Sequence, residues 1–175
     1  MKMRKVKYFL STTAVIVMSL LLYSCGLDCP PGYKGSNCDL EKTPTKVTIT
    51  KIVVTNFAIL DPSQLQWDLT DGADIYPVIT GENTANVVWK APVFYQNATP
   101  GVPYSFTPEI TLDLIYPEMY YTCMLVDSDG NTIFNNDDLI GTAVFKPYNA
   151  GEGFPEIIYL SNLDMQAEIH VKYTW

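Results

Sequence analysis

The sequence is poor in the side chains that most enzymes and soft-metal sites depend on. It has one histidine, His170, and four cysteines in 175 residues, and its 11 basic side chains are outnumbered by 19 acidic ones. Such an acidic chain has no electrostatic footprint for nucleic acid and offers no basic face to anionic lipid headgroups. Any attraction to phospholipid would therefore have to pass through bound cations.

Long stretches at helical spacing are also missing from residue 45 onwards. Short apolar or alternating runs, separated by Pro, Gly and Asn, indicate β-strands instead. Val47 and Ile49 alternate with threonines, and the pattern shifts phase near Lys51, as a β-bulge would make it do. The sequence predicts an all-β domain, an antiparallel eight-stranded Greek-key β-sandwich. Beyond the run that contains Val47 and Ile49, further predicted runs are 74–80, 85–94, 104–106, 110–115, 120–126, 139–145, 156–160 and 166–173.

The one long apolar run lies at the N-terminus, at residues 8–22, after four basic residues. It predicts an export signal over residues 1–24, since the run is short for a membrane span. Cys25 follows directly, which resembles the bacterial lipobox, so we expect a lipidated Cys25 at the cell envelope, with the outer membrane as the expected location. Ordinary secretion, with Cys25 as a disulfide partner, is the alternative. A chain beginning at Cys25 would carry a formal charge of −12, because residues 1–24 hold four basic and no acidic residues.

A short cysteine-bounded segment follows the export signal. Residues 29–38, Cys-Pro-Pro-Gly-Tyr-Lys-Gly-Ser-Asn-Cys, resemble the last disulfide loop of an EGF-like module, which implies a bridge between Cys29 and Cys38. We expect residues 25–45 to form a stalk and linker, and residues 46–175 to form the β-sandwich domain. Cys123 lies in an apolar run, where a buried small hydrophobe is expected rather than a nucleophile.

Four carboxylates fall within twelve residues between two apolar runs, those of Asp127, Asp129, Asp137 and Asp138. Two carboxylates ~4 Å apart repel by about 4 kcal/mol at an effective dielectric constant of 20. The cluster must therefore spread into water, as a metal-free acidic turn, or hold a cation. Hard oxygen donors without His or Cys suit calcium. An EF-hand is excluded, because Thr132 stands where that loop needs Gly and the flanks predict strands.

A second acidic stretch, at residues 67–78, makes the pattern specific. Asp68 and Asp74 lie six positions apart, before Ile75-Tyr76-Pro77-Val78. The chain here resembles the C2 domain, a calcium- and phospholipid-binding β-sandwich, whose first loop has two Asp at this spacing. The third loop of that family has Asp-x-Asp and then Asp before an apolar pair and Gly, which 127–129 and 138–141 match. The resemblance covers about residues 46–175 and implies calcium ligands at Asp68, Asp74, Asp127, Asp129 and Asp138, with Asp137 as an alternative to Asp138.

Two apolar residues, Ile133 and Phe134, lie in the middle of this otherwise polar third loop. In the C2 family, apolar residues at loop tips resemble small wedges that enter the bilayer once calcium neutralises the carboxylates. Burial of both side chains would contribute roughly 3–5 kcal/mol. The alternative is that the loop folds back and Phe134 caps the open end of the core.

No arrangement of residues predicts catalysis. The last run places His170 on the face opposite Ile169 and Val171, so we expect it to face solvent without a nucleophile beside it. Three functions remain open: a lipid-anchored, calcium-dependent module that binds lipid or a partner, a structural or adhesive surface protein with loop-ordering calcium, and a carbohydrate-binding sandwich. In the third, Trp67 would be either the stacking platform or a core aromatic.

Overall fold

The computed structural model describes residues 28–61, 63–65, 67, 72–82, 85–129 and 137–175. The chain divides into two compact units, Met1–Leu40 and Glu41–Trp175. Among the described residues, no helix is long and apolar enough to cross a membrane. The following predictions lie outside the described residues: the export signal at 1–24, the lipidation site Cys25, the calcium ligand Asp68, and the loop-tip pair Ile133 and Phe134.

A disulfide closes the short cysteine-bounded segment. Cys29 and Cys38 are bonded, with their Cα atoms 5.3 Å apart, so the predicted bridge is confirmed. Strands β1 (Tyr33–Lys34) and β2 (Leu40–Glu41) pair around it. A bridge over a loop of this length stabilises by about 2–3 kcal/mol through the unfolded state.

The second unit is built from short and medium strands. They are β3 (Lys46–Phe57), β4 (Ile75–Thr80), β5 (Val87–Lys90), β6 (Tyr104–Phe106), β7 (Leu112–Leu114), β8 (Tyr121–Asp127), β9 (Asp138–Phe145), β10 (Ile157–Ser161) and β11 (Met165–Thr174).

These strands form two antiparallel sheets that enclose one apolar core. The first sheet has the order β10-β11-β3-β6, with β7 also on β3, and the second has the order β5-β4-β8-β9. β6 and β7 pair with Ile52–Val54 and Val47–Ile49 of β3, so they are two segments of one interrupted edge strand. Counted in this way, the sandwich has eight strands, and the chain passes between the sheets after β3, β5, β7 and β9. The predicted all-β sandwich is confirmed.

A bulge in β3 explains the shift of phase in its sequence. His170 lies opposite Lys51 whereas Val171 lies opposite Ile49, so Thr50 is the extra residue. Because of this insertion, both Ile49 and Ile52 face the core, where they are at most 1% exposed. The strand twists more strongly at such a bulge and stays paired with β11 along its full length.

The two ends of the sandwich differ in chemistry, and β3 runs from one to the other. At the start of β3 lies the clasp pole, defined by Glu41, Tyr148, Gly151, Gly153, Phe154 and Trp175. Beyond Phe57, at the other end, residues 58–74 lead into β4 and to the acidic pole. The acidic pole is defined by Asp74, Asp127, Asp129, Asp137 and Asp138.

Candidate functional site

The acidic pole forms where three neighbouring strands begin or end. β4 begins one residue after Asp74, β8 ends at Asp127, and β9 begins at Asp138. Since β8 pairs with both other strands, Ile75 and Asp138 each lie opposite Asp127. Asp74 and Asp127, which are 53 positions apart in the sequence, therefore meet at one pole.

Backbone hydrogen bonds fix the positions of the first two aspartates. The Asp74 N–H donates to Asp127 Oδ1 at 2.6 Å, and the Ser128 N–H donates to the Asp74 carbonyl at 2.8 Å. Asp127 is fully buried. A buried carboxylate costs free energy unless it is well bonded. The hydrogen bond from Asp74 thus ties the end of β8 to the start of β4.

The loop between β5 and β6 also contributes to the acidic pole, through Asn97. The Asn97 N–H donates to Asp74 Oδ1 at 2.8 Å, and its side-chain Oδ1 accepts from Gly72 N at 3.2 Å. A Cβ at Gly72 would lie 3.1 Å from the Ala98 carbonyl oxygen, so this approach leaves little room for a side chain. Asn97 was not predicted from the sequence. It has a positive φ of 53°, which asparagine adopts more readily than most residues. The turn-forming run Gln-Asn-Ala-Thr-Pro-Gly at residues 96–101 was the signal that the sequence offered.

The described carboxylates at the acidic pole act on one another electrostatically. Partial burial raises the pKa of Asp129, and the nearby charges of Asp138, Asp137 and Asp74 raise it further. The loop that follows β8 therefore holds its negative charge against the repulsion of three other aspartates. A divalent cation at this pole would relieve that repulsion.

Asp137 and Asp138 project from opposite faces of the second sheet, because adjacent residues in a strand alternate. Asp138 shares its face with Asp127, whose side chain points towards the core. Asp137 lies on the outer face, where the Tyr76 hydroxyl donates to its Oδ2. The register thus separates the two adjacent aspartates that the sequence could not distinguish.

The donor set at the acidic pole fits calcium in its chemistry. Its side chains offer hard oxygen atoms, and His170 lies in the other sheet, with its Nε2 3.2 Å from Glu168 Oε2. Within the described ranges, no three His, Cys, Asp or Glu side chains are close enough together to hold a metal ion. The predicted ligand Asp68 is not among the residues described. An ion would therefore have to draw Asp129 and Asp138 inwards.

Two other residues singled out by the sequence lie in the core. Trp67 is half-buried, packs against the apolar cluster and donates from Nε1 to the Ala58 carbonyl at 2.9 Å. These contacts favour its core role over that of a stacking platform. Cys123 is fully buried without a disulfide partner, and burial raises the pKa of its thiol to about 12. It packs as a small hydrophobe, as predicted.

No family model and no curated protein matches the sequence. Among solved structures, a C2 domain is 12% identical, with a TM-score of 0.48, over 74% of this chain and 98% of that chain. A C2 domain of plant Extended Synaptotagmin 1 is 14% identical, with a TM-score of 0.40, over 76% and 97%. A C2 domain protein from Ramazzottius varieornatus is 13% identical, with a TM-score of 0.43, over 75% and 91%. The sandwich of this chain is similar in fold to these C2 domains.

At these identities the likeness concerns the fold alone. The sandwich covers the region over which the sequence predicted it, since all eight strand positions fall within residues 46–174. The EGF-like character of residues 29–38 stays a prediction, although the bridge itself is present.

Proposed function

We propose that this chain is a calcium-dependent binding module, attached to a bacterial envelope membrane by a lipid on Cys25. Its acidic pole would capture a phosphate-bearing lipid or protein partner through shared calcium. The observation that carries the proposal is the convergence of Asp74, Asp129 and Asp138 at the pole. Burial, and then the charges of Asp138, Asp137 and Asp74, raise the pKa of Asp129 there. Such mutual repulsion is relieved by a cation.

Different residues would form the fixed and the adjustable parts of the calcium site at this pole. Asp74 and Asp127 are held by backbone hydrogen bonds and form the fixed side of the site. Asp129 and Asp138 flank the third loop and form the adjustable side, and Asp68 is the proposed ligand from the first loop. Calcium, when bound, supplies positive charge and open coordination positions for oxygen atoms of a partner.

Net charge makes the cation necessary for any anionic partner. With 19 acidic and 11 basic side chains, the chain repels phosphate groups unless a bound ion intervenes. The proposal therefore requires binding to disappear in chelator. Binding through a basic surface would not depend on calcium in this way.

The position of the acidic pole also limits where a partner can be. The chain enters the sandwich at the clasp pole, and β3, with 12 residues, separates that pole from the acidic pole. At about 3.3 Å per residue, this strand spans roughly 40 Å. A lipid-anchored linker would join the sandwich at the clasp pole, so the acidic pole is available to a partner at the opposite end of the sandwich.

A catalytic role is not part of the proposal. His170 is half-buried beside Glu168 on the outer face of the first sheet. Cys123 is enclosed by the core, and its raised pKa keeps the thiol protonated at neutral pH. Neither group presents a nucleophile to a partner at the acidic pole.

Flotation of the purified sandwich with vesicles tests the binding activity. Vesicles with about 30% phosphatidylserine, an anionic lipid, are compared in calcium and in chelator with neutral phosphatidylcholine vesicles. The proposal expects recovery with the anionic vesicles in calcium alone. A calcium-stabilised protein that binds no vesicle and no envelope protein would be a structural or adhesive surface protein. Glycan binding that persists in chelator would make it a carbohydrate-binding sandwich.

A separate experiment tests the anchor. In the full chain, Cys25→Ala should abolish labelling by fatty acid and release the protein from membrane fractions, because no other segment carries an acylation signal. Retention of the variant in membranes after a carbonate wash would show that the lipid attachment is wrong. Calcium-dependent binding would still be tested separately by the vesicle flotation experiment.

A further inference from the structure

Three polar side chains meet on the outer face of the second sheet, next to the acidic pole. We name Tyr76, Lys90 and Asp137 the outer-face cluster. The Tyr76 hydroxyl donates to Asp137 Oδ2 at 2.5 Å, and Lys90 Nζ lies 3.5 Å from the same oxygen. The Lys90 ammonium also lies 4.3 Å from the centroid of the Tyr76 ring. One oxygen of Asp137 is thus held by two partners, immediately before β9 begins.

Strand register explains why these side chains meet. Lys90 lies opposite Val78, which is two residues along β4 from Tyr76, so Lys90 and Tyr76 project from the same face. Through β8, the same face continues to Leu139 of β9. Asp137 precedes Leu139 by two residues and therefore shares that face.

The Tyr76 side chain is well placed to orient the carboxylate. Tyr76 is 4% exposed, so its ring is enclosed by its neighbours in the packed sheet. Lys90 adds a full positive charge on the solvent side, where its side chain is 56% exposed.

We propose that Lys90 and Tyr76 hold Asp137 outside the calcium site, with its negative charge balanced by the Lys90 ammonium. Asp138 is then the calcium ligand at the start of β9. The inference rests on the proposed function, because it assigns ligands and affinity to the same acidic pole. Lys90 and Tyr76 are positioning residues in this account. They limit the charge that the pole offers to calcium.

Removal of Lys90 should therefore have opposite effects on affinity and on metal-free stability. Without the ammonium, Asp137 adds its charge to those of Asp129 and Asp138. Calcium affinity rises with the charge of the ligand set, so the ion should bind more tightly. In the absence of calcium, the additional repulsion should lower the melting temperature.

Titration calorimetry of calcium into the full chain tests the ligand assignment. Asp138→Asn should weaken binding about tenfold or more. The double variant Lys90→Met with Asp137→Asn removes the paired charges together, so its calcium affinity should stay within about twofold of that of the wild type. Lys90→Met should bind calcium about three- to tenfold more tightly, since one unit of charge is worth this much at close range in an aqueous site.

Lys46→Met is the matched control for Lys90→Met. Lys46 Nζ lies 2.5 Å from Asp113 Oδ2, so the substitution also separates a lysine from an aspartate and changes the net charge equally. Lys46 is the first residue of β3, at the end of the sandwich away from the acidic pole. Its loss should leave the calcium affinity unchanged.

Melting curves in chelator supply a readout that does not involve calcium. Lys90→Met should lower the melting temperature by about 2–4 °C, and most of this loss should disappear when Asp137→Asn is also present. Tyr76→Phe keeps the ring and removes only the hydroxyl. It should therefore show part of the same coupling with Asp137 in a protein that still folds.

Each outcome bears on a definite statement. If the double variant Lys90→Met with Asp137→Asn weakens calcium binding as much as Asp138→Asn does, Asp137 is a ligand and the inference is overturned. Equal behaviour of Lys90→Met and Lys46→Met in calcium and in chelator would also overturn it. A wild-type protein that binds no calcium would defeat the proposed function together with the ligand assignment. The coupling of Lys90 to Asp137 in chelator would then show whether the cluster serves stability alone.

Discussion

The pKa values of carboxyl groups at the two poles of the sandwich are shifted in opposite directions. At the clasp pole, Glu41 accepts hydrogen bonds from the Tyr148 hydroxyl at 3.0 Å and from the backbone N–H groups of Gly151 and Gly153 at 2.9 and 3.0 Å. The bond from Gly151 is the main cause of the lowered pKa of Glu41, although partial desolvation opposes it. At the acidic pole, burial and like charges raise the pKa of Asp129.

This difference separates a structural carboxylate from candidate functional ones. Glu41 is satisfied within the fold, so the clasp pole needs no ligand. The acidic pole brings five aspartates together, and Lys90 Nζ lies 3.5 Å from one of them, Asp137. Strain or repulsion that persists in a folded protein is commonly found at functional sites. The comparison therefore favours the acidic pole over the clasp pole as the site of the proposed binding.

The largest expected loss of stability is at the clasp pole, on removal of Phe154. Its ring stacks on Tyr148 with centroids 5.7 Å apart and meets Tyr173 and Trp175 edge-on at 5.4 and 5.0 Å. Phe154→Ala should cost about 3 kcal/mol, the low end of the range for such truncations because the ring is half-buried. Urea unfolding in calcium and in chelator should show the same loss. A loss that depends on calcium would contradict the separation of the poles.

A smaller effect with a defined pH dependence is expected from Glu41→Gln. The folded state lowers the pKa of Glu41, so its contribution is present above the pKa of the unfolded chain and is lost as the pH falls through the folded value. The variant should be less stable than the wild type at neutral pH, and the difference should shrink below a pH of about 4.3. Melting curves from acidic to neutral pH measure this. A stability difference that grows on acidification would refute the stabilising role of the Glu41 carboxylate.

The smallest stability effect is expected from the loop-tip pair in the third loop. If Ile133 and Phe134 form a wedge, replacing both with Ala should change the calcium-loaded stability by less than about 0.5 kcal/mol while vesicle binding collapses. Unfolding curves and flotation of the same sample measure the two quantities. A loss of ~3 kcal/mol for Phe134 alone would instead identify a cap on the core.

The sequence predicted the features that depend on local pattern. Alternation at Val47 and Ile49 indicated the strand, and the shift of phase near Lys51 indicated the bulge that the structure places at Thr50. The resemblance of residues 29–38 to a disulfide loop of an EGF-like module predicted the bridge between Cys29 and Cys38. Each of these features depends on neighbours in the chain, so a short window of sequence contains the information.

The features that the sequence missed depend on which strands become neighbours. Asn97 reaches Asp74 from a loop more than 20 positions away. Whether Asp137 or Asp138 shares a face with Asp127 depends on the register of β9, which shifts between Leu125 and Val126 of the partner strand. A shift of one residue exchanges the two faces, and no local signal fixes it. Lys90 could not be connected with Asp137 for the same reason.

A thermal melt of the full second unit, with and without calcium, tests the central claim most directly. Dissociation constants of weak extracellular modules are on the order of 0.1–1 mM. At tenfold excess over the dissociation constant, binding to the folded state alone should add about 1.4 kcal/mol, which raises the melting temperature by roughly 3–6 °C. Asp129→Asn should reduce that rise, and magnesium at the same concentration should produce less of it. Identical melting curves in calcium and in chelator would contradict the account.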